Sequence, residues 1–209
     1  MQLKIIDTTK KKEYEKYLYK CLAPMPFRKY KNRQEYLKKA IPVGFHKNIL
    51  EFNGKIVGQI EYAPAGASGL PIFGKNLFVM NCIWVLRKAK GNNFGRILLE
   101  DAISTIRKDG ANGIATIALE NHPSPWLRIK EIERLGFKAI KTVQFAIVHK
   151  KKYKGKKFKI YLMWLPLKEK IKEPEWDIER LSKGVNFCLA HPLYHAESFK
   201  KEKLFAHFQ

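Results

Sequence analysis

One stretch of this 209-residue chain sets out residue types in an order that can do chemistry. Val79 to Val85 is almost wholly apolar and runs through Leu86 into Arg87, Lys88, Ala89, Lys90, Gly91, Asn92, Asn93, Phe94 and Gly95. An amphipathic helix follows at Arg96. The first N–H groups of a helix lack an intrahelical acceptor, and the helix dipole is positive there. Glycine, and asparagine in the left-handed region, let the main chain wrap closely around an anion. The spacing predicts a pyrophosphate cradle over Lys90 to Arg96, with Arg87, Lys88, Lys90 and Arg96 as surrounding cations. A dinucleotide fingerprint is excluded because no G-x-G-x-x-G is present, and a P-loop because no Gly-Lys-Ser/Thr follows.

The elements that must hold this turn read as a mixed α/β sheet. Gln2 to Asp7 is a first strand, with Thr8 or Thr9 placed to cap a helix whose inner face is Tyr14, Tyr17, Leu18 and Cys21. Pro24 and Pro26 end it, the aromatic-basic loop of Phe27, Arg28 and Tyr30 follows, and a shorter helix spans Asn32 to Ala40. Asn48 to Phe52, the turn Asn53-Gly54 and Lys55 to Tyr62 form a hairpin. A Gly/Ala/Ser/Pro-rich loop, Pro64 to Pro71, leads to Asn76–Val85, apolar enough for a central strand covered on both faces. The helix Arg96–Lys108 has Ile97, Leu98, Ala102, Ile103 and Ile106 inward and closes at Gly110. Gly113 to Leu119 is a second apolar strand, so the helix between makes a parallel crossover. Ser124-Pro125 reads as the start of a helix ending at Leu135 and Gly136. Val143–His149 and Phe158–Leu165 pair around a lysine-rich loop. Residues 1–165 read as the main domain, and 166–209 as an extension packed on it through Phe187, Leu189, Leu193, Tyr194 and Phe199.

The motif and the element order together resemble the GNAT superfamily of N-acetyltransferases over residues 1–165. The family's central strand is followed by R/Q-x-x-G-x-G/A, with which Lys90-Gly91-Asn92-Asn93-Phe94-Gly95 aligns. Lys90 stands in place of Arg or Gln, and Asn93 in place of the first motif glycine. Arg134-Leu135-Gly136-Phe137 is similar to the family's helix-to-strand signature. The resemblance implies two splayed central parallel strands with acetyl-CoA, or another acyl-CoA, bound between them. It puts the pyrophosphate on the amides of Gly91 to Arg96 and pantetheine beside the main chain of Ile83, Trp84 and Val85. The implied reaction is direct attack of a primary amine on the thioester, with a main-chain N–H near Ile83 or Val85 stabilising the oxyanion.

The family's tyrosine acid, four residues before the signature glycine, is Ile132 here. The central strand carries no carboxylate, so the candidates near the implied cleft are Glu61, Asn81, Cys82, Glu120 and His122. Glu120 and His122, at the exit of the second splayed strand, are favoured as base or proton relay; solvated strand-end polarity is the alternative. Trp126, in the long Asn121–Trp126 connection, is either a wall of the acceptor pocket or a core side chain. Cys188, His191 and His195 have a spacing that zinc could use, but a closed site needs a fourth ligand. They are read as a packed loop, and no metal is assigned.

Forty-one Lys and Arg against nineteen Asp and Glu give +22, and 45% of residues are hydrophobic, which excludes a disordered tail. Residues 1–50 carry +9 and residues 138–170 carry +10. Such a field would attract nucleic acid or an anionic cofactor. However, thirty-three of the cations are Lys, the usual residue of solvated faces and protected sheet edges. The run 149–159 is therefore either a phosphate sleeve or a charged edge. No stretch is long and apolar enough to span a bilayer, the opening residues have no apolar signal segment, and three scattered cysteines suit a reducing cytoplasm. The readings to separate are an N-acyltransferase acting on a small-molecule or protein amine, a non-catalytic module binding acyl-CoA or RNA, and an acetyltransferase of nucleic-acid-borne or tRNA-borne amines.

Overall fold

In a computed structural model, residues 2–19, 22, 31–123, 127–147, 151–182 and 205–208 are described. The elements are β1 (Leu3–Asp7), α1 (Glu15–Leu18), α2 (Lys31–Ala40), β2 (His46–Phe52), β3 (Lys55–Pro64), β4 (Ile72–Phe73), β5 (Leu77–Val85) and α3 (Phe94–Lys108). They continue with β6 (Gly113–Glu120), α4 (Ile129–Arg134), β7 (Lys138–Ile147), β8 (Lys157–Pro166), β9 (Glu175–Trp176), α5 (Ile178–Ser182) and β10 (Phe205–Phe208). Asn53 and Gly54, at φ 49° and 73°, make the tight turn between β2 and β3 that their types require. Eight strands form one mixed sheet in the order β1-β2-β3-β5-β6-β8-β7-β10, and β4 pairs with β9 beside it.

The centre of the sheet opens. β5 and β6 are parallel and pair over three positions, from Leu77↔Gly113 to Val79↔Ala115. Beyond these, β5 follows β3 to Val85 and β6 follows β8 to Glu120. The pairing of β3 with β5 shifts where Glu61 faces Cys82 and Tyr62 faces Met80, leaving Asn81 as an extra residue on β5. A bulge bends its strand, and this one lies at the level where the parallel ladder ends. Its amide side chain is held by the carbonyl of Ser68. The Thr116 hydroxyl donates to the Met80 carbonyl at 2.7 Å, the last bond across before the strands part.

Helix α3 covers β2, β3 and β5 with a stripe of buried residues at four-residue spacing, Phe94, Leu98, Ala102 and Ile106. It begins at Phe94, two residues earlier than the pattern predicts, because Asn93 rather than Gly95 takes the left-handed turn at φ 58°. Neither threonine caps the first helix. Thr8 donates to the Lys47 carbonyl, and Thr9 gives both its amide and its hydroxyl to Asp7, so the chain passes a short 3-10 turn before the single turn of α1. Helix α4 begins at Ile129, because Leu127 and Arg128 run extended against Leu119. Ser124, Pro125 and Trp126 lie outside the described residues. β7 starts at Lys138, where exposed Lys138 and Ala139 show no apolar alternation but pair with Trp164 and Met163 of β8. After residue 166, β10 pairs antiparallel with β7, and the Asp177 amide donates to the Pro71 carbonyl. Cys21, Phe27, Arg28, Tyr30, Phe187, Cys188, Leu189, His191, Leu193, Tyr194, His195 and Phe199 lie outside the described residues. No described helix is long and apolar enough to cross a membrane.

Asp7 ties the edge of the sheet together. Its carboxylate accepts from the Thr9 amide and hydroxyl at 2.9 and 2.6 Å and meets His46 Nδ1 at 2.9 Å. Burial raises its pKa, but the His46 and Thr9 bonds outweigh burial and hold it below 3.8. A depressed folded pKa gives stability that is complete above the unfolded value and is lost as pH falls through the folded one. Asp7→Asn should therefore cost about 1–3 kcal/mol at pH 7. Its urea midpoint should also fall less than the wild type's between pH 5 and pH 2, as read by urea titrations across that range.

Candidate functional site

At the wide end of the opening, β5 leads through Leu86, whose amide donates to the Val57 carbonyl, into a 3-10 turn over Arg87–Ala89. Gly91 then adopts φ 92°, a conformation that favours glycine, and Asn93 follows in the left-handed region. Phe94 is buried and packs on Phe52 with ring centroids 5.1 Å apart, which pins the start of α3 to the β2–β3 hairpin. The amides of Arg96 and Ile97 both donate to the Asn93 carbonyl, at 3.0 and 3.2 Å. The donors that remain are the five consecutive amides of Gly91, Asn92, Asn93, Phe94 and Gly95, none with a protein acceptor among the described residues. Arg96 is thus an expected donor whose N–H already serves the helix.

This turn borders a cleft of about 190 Å³ lined by Ile83, Trp84, Val85, Lys90, Gly95, Glu131 and Leu135. The far wall is α4 and the residue that ends it. Arg96 crosses to that wall and donates from its guanidinium to the Arg134 carbonyl at 2.7 Å, and Lys90 lies 3.5 Å from Glu131. Lys90 is exposed and Glu131 part-exposed, so the pair contributes little to stability and separates readily. Arg87 and Lys88 are exposed, with no carboxylate within ion-pair distance among the described residues. The indole N–H of Trp84 is buried and lacks an acceptor among the described residues. A row of free amides, four nearby cations and one unsatisfied indole donor give this cleft the chemistry to receive an extended molecule with an anionic end. On the other side of the opening, the Leu119 amide is taken by the Leu127 carbonyl at 2.7 Å. That part of the β6 edge is closed, whereas the Ile83–Val85 side borders the cleft.

The proton-handling candidates fall into separate places. Glu120, part-exposed at the end of β6, accepts from the Tyr161 hydroxyl at 2.9 Å and lies 3.4 Å from Lys159 Nζ. The tyrosine bond, with help from Lys159, holds its carboxyl below the usual glutamate value, and burial works the other way. Tyr161 in turn is raised, by burial first and then by the carboxylate, and stays protonated. His122 is buried with its ring edge-on to Phe158 at 4.9 Å, and Glu120 makes no hydrogen bond to it. The two do not form a direct relay. Glu61 is fully buried and paired with Lys47 at 2.8 Å; Cys82 accepts from Gln59 at 3.7 Å. None of the five candidates, Glu61, Asn81, Cys82, Glu120 and His122, lines the cleft itself. Sequence reasoning misses Tyr161 and Lys159, whose signal is the register that puts them opposite Ala118 and Glu120. Among the described residues no cluster of three metal-ligating side chains occurs.

A wedge between two central parallel strands, with a free helix N-terminus at its mouth, marks the N-acetyltransferase class of α/β folds. The profile of the Acetyltransferase (GNAT) family matches residues 11–137, more than half of the chain, and the protein belongs to that family. It is 35% identical over 79 residues to an uncharacterized N-acetyltransferase, YoaP, of Bacillus subtilis, a match spanning 37% of this chain and 31% of that relative. Its fold is similar to a GNAT-family acetyltransferase structure from Desulfovibrio desulfuricans, at TM-score 0.57 and 15% identity over 80% of this chain and all of that one. It is also similar to the ribosomal-protein-S18-alanine N-acetyltransferase of Escherichia coli, at TM-score 0.52 and 14% identity over 82% of this chain and all of that one.

Proposed function

We propose that the protein transfers an acetyl group from acetyl-CoA to a primary amine. The observation that carries this reading is the run of five unclaimed amides, Gly91 to Gly95, at the mouth of the Ile83–Val85 cleft. The co-substrate supplies an activated thioester carbonyl. The amides of Gly91 to Gly95 hold its pyrophosphate, where the dipole of the fifteen-residue α3 favours negative charge. The main chain of Ile83 and Val85 aligns the pantetheine arm like an added strand, and Trp84 offers its indole N–H to a carbonyl oxygen. An N–H at this edge then faces the oxygen on which negative charge builds as the new C–N bond forms and the C–S bond breaks.

The attacking amine must be neutral. Glu120, ionised at neutral pH, accepts the amine's proton through water, and Tyr161 and Lys159 keep the carboxylate fixed and charged. His122 supports the strand end from within the core. The leaving thiolate takes its proton from solvent. The acceptor is a primary amine of a small molecule or a protein.

Calorimetry with acetyl-CoA tests binding, and release of free thiol in the presence of spermidine, an aminoglycoside and a peptide with a free N-terminus tests turnover. Glu120→Gln should leave acetyl-CoA affinity unchanged and lower kcat at least about tenfold. Absence of acetyl-CoA binding at millimolar concentration would rule out this chemistry. Binding without turnover on any amine would favour a non-catalytic module.

A further inference from the structure

We propose that a second ligand site, for a nucleotide-sized organic polyanion, lies at the opposite end of the central strands. A hollow of about 640 Å³ opens there, within the size range of small-molecule sites. Its walls come from three connections: the turn between β4 and β5, the residue before β6, and the chain between β8 and β9. They are tied together. Asn112 donates from its side chain to the Lys75 carbonyl at 3.0 Å and from its amide to the Asn76 carbonyl at 2.8 Å. Its own carbonyl accepts from the Leu167 amide, and its Oδ1 from Lys168.

The lining is chemically lopsided. Lys75, Lys170 and Lys172 all contribute, and none has a carboxylate within 4.0 Å among the described residues. Of the two carboxylates present, Glu175 is already held by Lys141 at 2.6 Å, leaving Glu173 against three cations. Lys170 sits at φ 53°, uncommon for a long side chain, and such backbone strain gathers at ligand clamps. Beside the lysines lies the ring of Phe73, 45% exposed on a two-residue strand, with the Arg180 guanidinium 6.0 Å from its centroid, and Ile171 also lines the hollow. Exposed lysines alone would be ordinary solvated charge. Lysines converging with an exposed aromatic ring on one hollow match a ligand that has anionic groups at one end and a flat apolar body at the other.

The hollow shares no residue with the acyl-CoA cleft. β5 starts beside one and ends at the other, and its nine residues put them about 30 Å apart. The inference does not depend on the transferase reading.

The test is calorimetry with ATP in the presence of saturating CoA, with inorganic tripolyphosphate as the arm that lacks a flat body. ATP should bind at one site, and Lys75→Glu with Lys172→Glu should weaken it at least about tenfold. Phe73→Ser should weaken ATP several-fold and leave tripolyphosphate unchanged. The charge-matched pair Lys152→Glu and Lys154→Glu, on the β7–β8 connection, should leave ATP binding as in the wild type. The proposal is overturned if ATP gives no heat, or if the Lys152/Lys154 pair weakens it as much as the Lys75/Lys172 pair, which would mark diffuse attraction to a basic protein.

Discussion

Gly95→Val is expected to weaken acetyl-CoA binding at least about 100-fold, the loss of one or two charge-assisted hydrogen bonds and of the space they occupy. A Cβ at residue 95 meets nothing closer than Leu135 Cδ2, at 3.8 Å, so the side chain fits the protein itself. Its two methyl groups then stand in the cleft, beside the amides of Phe94 and residue 95. The fold should survive, since residue 95 lies inside α3 at an ordinary helical conformation. Glycine is there at a cost of about 0.5–1 kcal/mol relative to better helix formers. Gly91 would be a poorer choice, because at φ 92° any side chain strains the turn and loss of binding could follow from misfolding. The measurement is calorimetric titration with acetyl-CoA beside a thermal melt of the same sample. Wild-type affinity in a folded Gly95→Val protein would mean that the phosphates rest elsewhere.

That prediction rests on a turn legible in the sequence alone, because its requirements are local. Asn93 adopts the left-handed region, which its short polar side chain tolerates, and Asn53-Gly54 forms its hairpin for the same reason. The apolar run of β5 marks a strand buried from both faces, since covering both faces removes the polar alternation. What could not be read is set by register. Tyr161 meets Glu120 because β8 pairs antiparallel with β6, and a shift of one residue would send it to the other face. The occupation of the Leu119 amide by Leu127 likewise depends on where an irregular connection lies. The bulge at Asn81 leaves no compositional trace within an apolar strand.

Lys47 is the plainest case, since the sequence pattern starts this strand at Asn48 and leaves Lys47 outside it. It is the second residue of β2 and wholly buried, directly across from an equally buried Glu61 on β3, with the two charges 2.8 Å apart. Bringing both charges out of water costs several kcal/mol apiece, and their attraction must offset it. Removing only Glu61 leaves the cost of burying the ammonium while deleting its carboxylate. Glu61→Ala should therefore lower the unfolding free energy by about 3–5 kcal/mol, a large part of the total for a domain of this size. Replacing both partners by apolar residues of similar length, Lys47→Met with Glu61→Leu, should recover most of that loss, because neither charge then needs desolvating. Urea unfolding of the single and double variants gives the coupling directly. A Glu61→Ala protein within about 1 kcal/mol of wild type would show that water or another polar group takes over the carboxylate's role at this part of the sheet.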